Sequence, residues 1–218
     1  MFDLDGLLLD TEPLYEEAIG KVLALYGHTY DGNLRSQVIG KGEHEGAGII
    51  VSTKKLPISP AEFLDKRNKF LKELFLKTQP KPGALKLTLH LAKHKIPMAL
   101  ATSSLKLFLR LKFTNYPEWL DEFDFVVTGD DVQRAKPDPQ IFIKAAQGLG
   151  LPPTSCLCFE DSPSGSEAGY KAGCKVISVP DPAIEKSRYQ PWATQILSDL
   201  TQFKPEQFGL PPYTQSNL

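Results

Sequence analysis

The sequence predicts an α/β domain built on a mainly parallel sheet, with a helical insert after the first strand. Short apolar runs alternate along the chain with stretches of helical period, the pattern of strand–helix–strand units. The runs are mostly apolar at successive positions, as strands covered on both faces require. A length of 218 residues suits one domain of ordinary size, or a core with a smaller insert.

The first expected strand is "MFDL" at 1–4. The others are "IPMALATS" (96–103), "FDFVVTG" (123–129), "CLCFED" (156–161) and "KVISVP" (175–180). Between the first two strands no strand pattern occurs. "EPLYEEAIGKVLALYG" repeats apolar residues at helical spacing (Leu14, Ala18, Val22, Leu25), with Pro13 near its first turn and Gly27 as a stop. "SPAEFLDKRNKFLKELFL" opens with Ser59, Pro60 and Glu62, the signature of a reciprocal capping box, and presents Phe63, Phe70, Leu71 and Leu74 on one face. Residues 14–81 are too long for a simple connection, so they read as a helical insert, and "PKPG" (80–83) marks the return to a core formed by 1–13 and 82–218. Helices are also expected from Asp138–Pro139 to Gly148 or Gly150, and over "SPSGSEAGYKAG", whose small residues suit close packing on a sheet.

A net charge of −1 gives no electrostatic case for nucleic acid or an anionic membrane as partner. Cys156, Cys158 and Cys174 lack the spacing of a redox or zinc site and read as buried small hydrophobes, which fits a reducing, cytoplasmic setting. No run approaches a membrane span, and the start lacks the regions of a signal peptide. The ending "SNL" (216–218) has only slight likeness to a peroxisomal address. His28, His44, His90 and His94 show no metal-ligand spacing and are expected to be surface or structural.

In an open parallel sheet, sites form outside the carboxyl ends of the strands. Asp3 and Asp5 follow the first strand, Thr102 and Ser103 end the second, Lys136 lies in the loop after the third, and Glu160 and Asp161 end the fourth. Four carboxylates converging there would repel one another; a hard divalent cation with oxygen ligands, Mg2+ above all, relieves the repulsion. Lys136 adds a fixed positive charge and Thr102 a hydroxyl donor for a phosphate oxygen. Such a site suits phosphoryl transfer, in which positioning and charge neutralisation supply most of the catalysis. An Asp carboxylate is a competent nucleophile towards phosphorus, and Asp5 can protonate the leaving group and later activate water. Singly, each motif has a plainer reading: D-x-D-G as a turn, Lys136 as a solvated loop lysine, "FEDS" as a helix start. Together, in this order and each after a strand, they are hard to dismiss.

With "DLDG", "ATSS", "KPDP" and "FEDSPSG" in order, the sequence resembles the haloacid dehalogenase-like hydrolases over nearly its whole length. The resemblance implies a Rossmann-like parallel core with the first strand central and helices on both faces, and a small helical cap at 14–81 that closes over it. It implies Asp3 as nucleophile, Asp5 as general acid/base and an aspartyl-phosphate intermediate. Thr102, Ser103 and Lys136 would hold the transferring phosphoryl group. Mg2+ would sit on Asp3, the carbonyl of Asp5 and Asp161, with Glu160 supporting the shell. Candidate substrate contacts are Glu12 and Tyr15 at the hinge, Lys41 in a Gly-flanked cap loop, and Ser104.

Within the family, "DLDGLLLDTEPLY", "VIGK", "HKIPMALATSS" and "FKPEQFGLPPY" are similar to the pseudouridine-5'-phosphatases. The expected activity is hydrolysis of a nucleotide-like phosphomonoester such as pseudouridine 5'-phosphate by a cytoplasmic monomer. Alternatives are an FMN or a sugar or polyol phosphatase, or a phosphomutase. A dehalogenase would carry no carboxylate two residues after the nucleophile, and Asp5 is present. A reading of another class is an inactive or truncated protein: only Met1 and Phe2 precede Asp3, so the first strand is cut short and an α-amino group is expected near the nucleophile, able to perturb it. The segment "LKLFLRLKF" after "ATSS" is expected to begin a helix beside the site, with Lys106 as a further substrate contact.

Overall fold

The structure of the protein, a computed structural model, describes residues 1–213; the ending 216–218 lies outside the described residues. Five strands run parallel: β1 (Ala99–Ala101), β2 (Phe125–Val127), β3 (Leu157–Glu160), β4 (Lys175–Ser178) and β5 (Gln195–Ile196). The amino-terminal segment joins them into one sheet. Phe2 bridges Leu100 on one side and Phe159 on the other, both in parallel register. Its backbone bonds alternate between the neighbours: Phe2 donates to the Ala99 carbonyl at 2.9 Å, and Asp3 donates to the Phe159 carbonyl at 3.0 Å. The spatial order is therefore β2, β1, the segment at Phe2, β3, β4, β5.

Both faces of this sheet are covered, which is why its strands read as near-continuous apolar runs. One face carries Phe2, Leu100, Phe159 and Ile177 against α5 (Ala84–Lys93), whose Leu87 and Leu91 are buried with them. Phe2 stacks on Phe159 with ring centroids 4.6 Å apart. The other face carries Ala99, Ala101, Cys158 and Val176 against α8 (Gln140–Gly148) and α9 (Pro163–Lys171). Small residues let α9 approach: a Cβ on Gly169 would stand 2.6 Å from Cys158 Sγ. The three cysteines are free and buried in this layer, small hydrophobes as expected.

The insert consists of α1 (Glu12–Ala24), α2 (Gly32–Val38), α3 (Glu43–Thr53) and α4 (Pro60–Leu74), followed by a 3-10 turn at Phe75–Lys77. It has its own buried cluster, including Val22, Leu34, Ile50 and Phe63. The reciprocal cap of α4 forms: the Ser59 hydroxyl accepts from Glu62 N–H at 3.2 Å, and the Glu62 carboxylate accepts from Ser59 N–H at 2.8 Å. The outgoing and returning chains run antiparallel, Leu9 bridging Pro80, with Asp10 N–H on the Gln79 carbonyl and Lys81 N–H on the Leu8 carbonyl, each at 2.8 Å.

Several boundaries differ from expectation. The first strand reduces to the bridges at Phe2, because the chain turns at once: both Leu8 and Leu9 donate to the Leu4 carbonyl. Helix α8 starts at Gln140, whose N–H is taken by the Asp138 carboxylate at 3.0 Å. Strand β5 was not anticipated. His90 is structural: it is buried, its Nε2 lies 2.8 Å from the Pro211 carbonyl, and the Tyr213 ring packs on it at a tilt, 4.7 Å between centroids. No helix among the described residues is long and apolar enough to cross a membrane.

Candidate active site

The carboxyl ends of the amino-terminal segment, β1 and β3 converge on one ammonium. Lys136 Nζ donates to Asp3 Oδ1 at 2.5 Å, to Glu160 Oε1 at 2.6 Å and to the Ala101 carbonyl at 3.1 Å. Asp3 and Lys136 stand 133 positions apart in sequence, Asp3 directly after the bridges at Phe2 and Lys136 in the loop between β2 and α8. Glu160 is fully buried, and its second oxygen accepts from Asp161 N–H, Ser162 N–H and the Ser162 hydroxyl. That carboxylate thereby fixes the start of α9, whose own cap is the Ser162 hydroxyl accepting from Gly165 N–H at 3.0 Å.

Asp161 closes the group. Its carboxylate takes no hydrogen bond from a described residue, while its carbonyl accepts from the Tyr189 hydroxyl at 2.6 Å. It lies against the turn that carries Asp5: a Cβ on Gly6 would stand 2.2 Å from Asp161 Oδ2, and Gly6 has φ +75°. Both the left-handed backbone and the close approach require glycine there. Gly6→Ala is expected to lower turnover by at least about tenfold, because a shift of about 1 Å in a reacting group costs up to 10²-fold. Steady-state assays beside a thermal melt check this; wild-type turnover in a folded variant would show that the approach is not needed.

The charges do not balance. Burial pushes the Asp3 carboxyl up to about 7, with Glu160 and Asp5 adding to the effect and Lys136 opposing it. Burial likewise holds Asp161 well above the usual carboxylate range, helped by Glu160, Asp3 and Glu12. Burial works against the Lys136 charge, but Asp3 and Glu160 outweigh it and raise its pKa. Asp5 is the contrast. Burial pushes it up, yet the Lys112 charge and hydrogen bonds from Lys112 and Ser104 prevail and bring it down.

Thr102 is buried at the end of β1, its hydroxyl accepting from Ser104 N–H at 3.1 Å. Ser103 is exposed, and Ser104 is half-buried with its hydroxyl on Asp5 Oδ2 at 2.7 Å. Glu12 is pushed up to about 7 by burial and then by Asp5, Asp181 and Glu16. With Tyr15, it lines a groove of about 160 Å3 between the insert helices, alongside Arg35, Lys41, Glu43 and Arg67. Lys41 is exposed and paired with Glu45 at 2.8 Å, so it reaches the groove but not the carboxylates. Lys106 is exposed on α6 (Lys106–Lys112).

Two basic residues here were missed by sequence reasoning. Lys112 is buried and reaches Asp5; Arg67 is buried, pairs with Glu43 and lies over the Tyr15 ring, 5.4 Å from its centroid. Helical spacing carried the signal for both. Lys112 follows Phe108 by one turn, and Arg67 lies one turn from Phe63 and Leu71, all buried positions.

A roomier, mostly apolar groove of about 330 Å3 lies at the opposite end of the sheet, lined by residues such as Met1, Phe2, Met98, Leu157 and Phe208. None of the candidate site residues borders it. The Met1 amino group points there, donating to the Leu157 carbonyl at 2.8 Å with the cysteines around it, and it is not among the charges that shift Asp3. The expected perturbation of the nucleophile is therefore corrected: the segment runs from amino group to carboxylate across the sheet.

Among the described residues no three His, Cys, Asp or Glu side chains already close on one metal position, since Lys136 spans Asp3 and Glu160. The donor set nevertheless fits a hard cation. Asp161 offers an unbonded carboxylate beside the Asp3–Gly6 turn, and the group carries more negative charge than one ammonium offsets.

Residues 1–179 match the family model described as haloacid dehalogenase-like hydrolase. A Drosophila melanogaster protein named "Probable pseudouridine-5'-phosphatase" is 41% identical over 98% of this chain and 94% of its own length. The Arabidopsis thaliana (DL)-glycerol-3-phosphatase 2 is 38% identical over 100% of this chain and 93% of its own. The crystal structure of Rhodobacter sphaeroides CbbY in complex with phosphate shares the fold, with a TM-score of 0.80 at 24% identity, covering 92% of this chain and 93% of that one. By family model and by full-length relatives alike, the chain belongs to the haloacid dehalogenase-like hydrolases and is a phosphatase.

Proposed function

We propose that the protein hydrolyses small phosphomonoesters in two steps through Asp3, with Mg2+ as cofactor and pseudouridine 5'-phosphate as the leading substrate. The observation that carries this reading is the Lys136 clamp. It holds Asp3 Oδ1 and leaves Asp3 Oδ2 without a hydrogen bond from a described residue, an oxygen free to attack phosphorus. In the first step a bond forms between Asp3 Oδ2 and phosphorus, the bond to the ester oxygen breaks, and Asp5, which enters this step protonated against the pull of Lys112, gives that oxygen a proton. In the second, a water attacks the aspartyl-phosphate as Asp5 takes its proton. Inorganic phosphate departs and the Asp3 carboxylate is restored.

Lys136 and the Thr102 hydroxyl bind phosphoryl oxygens as charge builds on them. Asp3, the Asp5 carbonyl and Asp161, with Glu160 behind them, would hold Mg2+, which would supply neutralisation of the carboxylates and of the phosphoryl oxygens. Helices α1–α4 serve as a cap, and the antiparallel pair at Leu9 and Pro80 as its hinge, which excludes bulk water from the phosphoenzyme on closing. The cap groove, with Glu12, Tyr15, Lys41 and Arg67, receives the leaving group.

The nucleoside reading rests on the 41% identical relative. A second reading, a glycerol-sized polyol phosphate, is favoured by the groove volume of about 160 Å3 and by the 38% identical glycerol-3-phosphatase. Turnover of pseudouridine 5'-phosphate, FMN, glycerol 3-phosphate and hexose phosphates, with Mg2+ and with EDTA, tests both. The expected result is hydrolysis that EDTA abolishes and added Mg2+ restores, with the nucleotide ahead. Full activity in EDTA would end the metal mechanism, and a preference for glycerol 3-phosphate would decide for the second reading.

A further inference from the structure

From the geometry around Asp5 we propose that Lys112 is a positioning residue for the acid/base step: it pins one oxygen of the Asp5 carboxylate and so assigns the other to the proton transfer. The proposal rests on the reading of Asp5 as general acid/base.

The two oxygens of Asp5 are held unequally. Oδ1 accepts from Lys112 Nζ at 2.5 Å, and Oδ2 accepts from the Ser104 hydroxyl at 2.7 Å. Lys112 cannot easily let go. Its side chain has no solvent exposure, its ammonium also meets the Ser104 hydroxyl at 2.6 Å and the Tyr15 hydroxyl at 3.4 Å, and it stands over the Phe75 ring, 4.5 Å from the centroid. A buried ammonium satisfied on several sides is a fixed point in the structure. Ser104 is a different partner: it is half-buried, its hydroxyl rotates, and it can yield Oδ2 to an incoming oxygen. The substrate's leaving oxygen therefore takes the place of the Ser104 hydroxyl at Oδ2, while Oδ1 stays on Lys112.

The anchor is also built from both ends of the insert. Tyr15 lies on α1, at its beginning, and Phe75 in the 3-10 turn at its end. Lys112 itself belongs to the core, on α6. Seating the insert thus walls the ammonium in, and the orientation of Asp5 is completed only when the outgoing and returning chains are both in place. No sequence motif carries this role; α6 has it because its buried face ends on a lysine.

The test uses leaving groups that differ in their need for a proton. An alkyl phosphate must have its alkoxide protonated, whereas p-nitrophenolate departs unaided. Lys112→Met, Lys112→Arg and Asp5→Asn are compared with the wild type on an alkyl phosphate that the enzyme turns over and on p-nitrophenyl phosphate, with melts to confirm folding. General acid–base positioning contributes about 10²–10⁴-fold, so Lys112→Met is expected to lower kcat/KM, which ends at departure of the leaving group and excludes the water step both esters share, by about 10²-fold for the alkyl ester and by less than about fivefold for p-nitrophenyl phosphate. Lys112→Arg falls between the two, and Asp5→Asn shows the same graded pattern in kcat/KM, deeper. An equal loss of kcat/KM on both esters in Lys112→Met, or no loss on either, with the grading intact in Asp5→Asn, overturns the proposal and leaves Lys112 a packing residue. Loss of grading in Asp5→Asn itself overturns the acid/base reading and the proposal with it. Should Lys112→Met not fold, Lys112→Arg carries the same decision: a graded loss supports the assignment and an equal loss overturns it.

Discussion

Asp3→Asn is expected to lower turnover of every phosphomonoester by at least about 10⁴-fold, since removal of an enzyme nucleophile typically costs 10⁴–10⁶-fold. The amide keeps the shape of the side chain, and its oxygen can still accept from Lys136, so the loss reports the missing nucleophile and not a collapsed site. The variant is also expected to be at least as stable as the wild type without metal. A carboxyl whose pKa is raised in the fold stabilises the protein at low pH, and that contribution disappears as pH rises through the folded value. For Asp3 the window runs from about 4, its ordinary value, to about 7. The wild type should lose stability across that window in EDTA, and Asp3→Asn should lose less of it. Melts at pH 5 and pH 8 measure the difference, and steady-state assays measure the turnover. Activity within tenfold of wild type would remove Asp3 from the mechanism.

The fold was legible where burial was strong on two sides. Parallel strands covered on both faces must be apolar throughout, and four of the five strands, β1 to β4, lie inside apolar runs that the sequence marks. Strand β5 did not show because it is only Gln195–Ile196 with half-buried side chains, too short to carry a period. The start of α4 was legible to the residue because capping is local chemistry, settled by Ser59 and Glu62 alone. The end of the first strand was not, because the turn depends on a tertiary fact: Gly6 accommodates Asp161 from the end of the neighbouring strand β3, distant in sequence.

The same division runs through the site. Asp3, Lys136, Glu160 and Asp161 could be nominated because strand ends in an open parallel sheet face one crevice, and charged residues stand out against apolar runs. What the sequence could not give was pairing. It set Lys136 against phosphate, and the structure ties it to Asp3 and Glu160. It set Ser103 on the phosphoryl group and Ser104 on the substrate, and the structure exposes the first and puts the second on Asp5. Lys112 hid for a further reason. In "LKLFLRLKF" the bases alternate with apolar residues, so Lys106, Arg110 and Lys112 look alike until the helix phase is fixed, and only Lys112 falls on the buried face.

Lys136→Met should be the most damaging single change to stability in the site. Methionine fills the same volume beside the Phe142 ring, 5.0 Å from the native ammonium, so packing is largely kept and charge is lost. Asp3 and Glu160, both buried, are then left facing each other without the cation between them. Removing one partner of a buried ion pair costs about 3–5 kcal/mol, which for a chain of this size lowers Tm by roughly 6–20 °C. The pH dependence separates charge from packing. Asp3 already sits at about 7 with Lys136 pulling it down, so without Lys136 it moves higher. A group with a raised folded pKa loses its stabilising contribution as pH climbs; the Tm deficit should therefore be large at pH 8 and shrink towards pH 6, where protonation takes over the role of the lysine. Added Mg2+ should narrow the deficit at pH 8 as well, because a divalent cation neutralises the same carboxylates, while turnover stays at least about 10³-fold down for want of the charge on the phosphoryl oxygens. A deficit that is equal at both pH values and indifferent to Mg2+ would mean that Lys136 is held for its packing, and the balance of charge that gives this site its chemistry would have to be sought elsewhere.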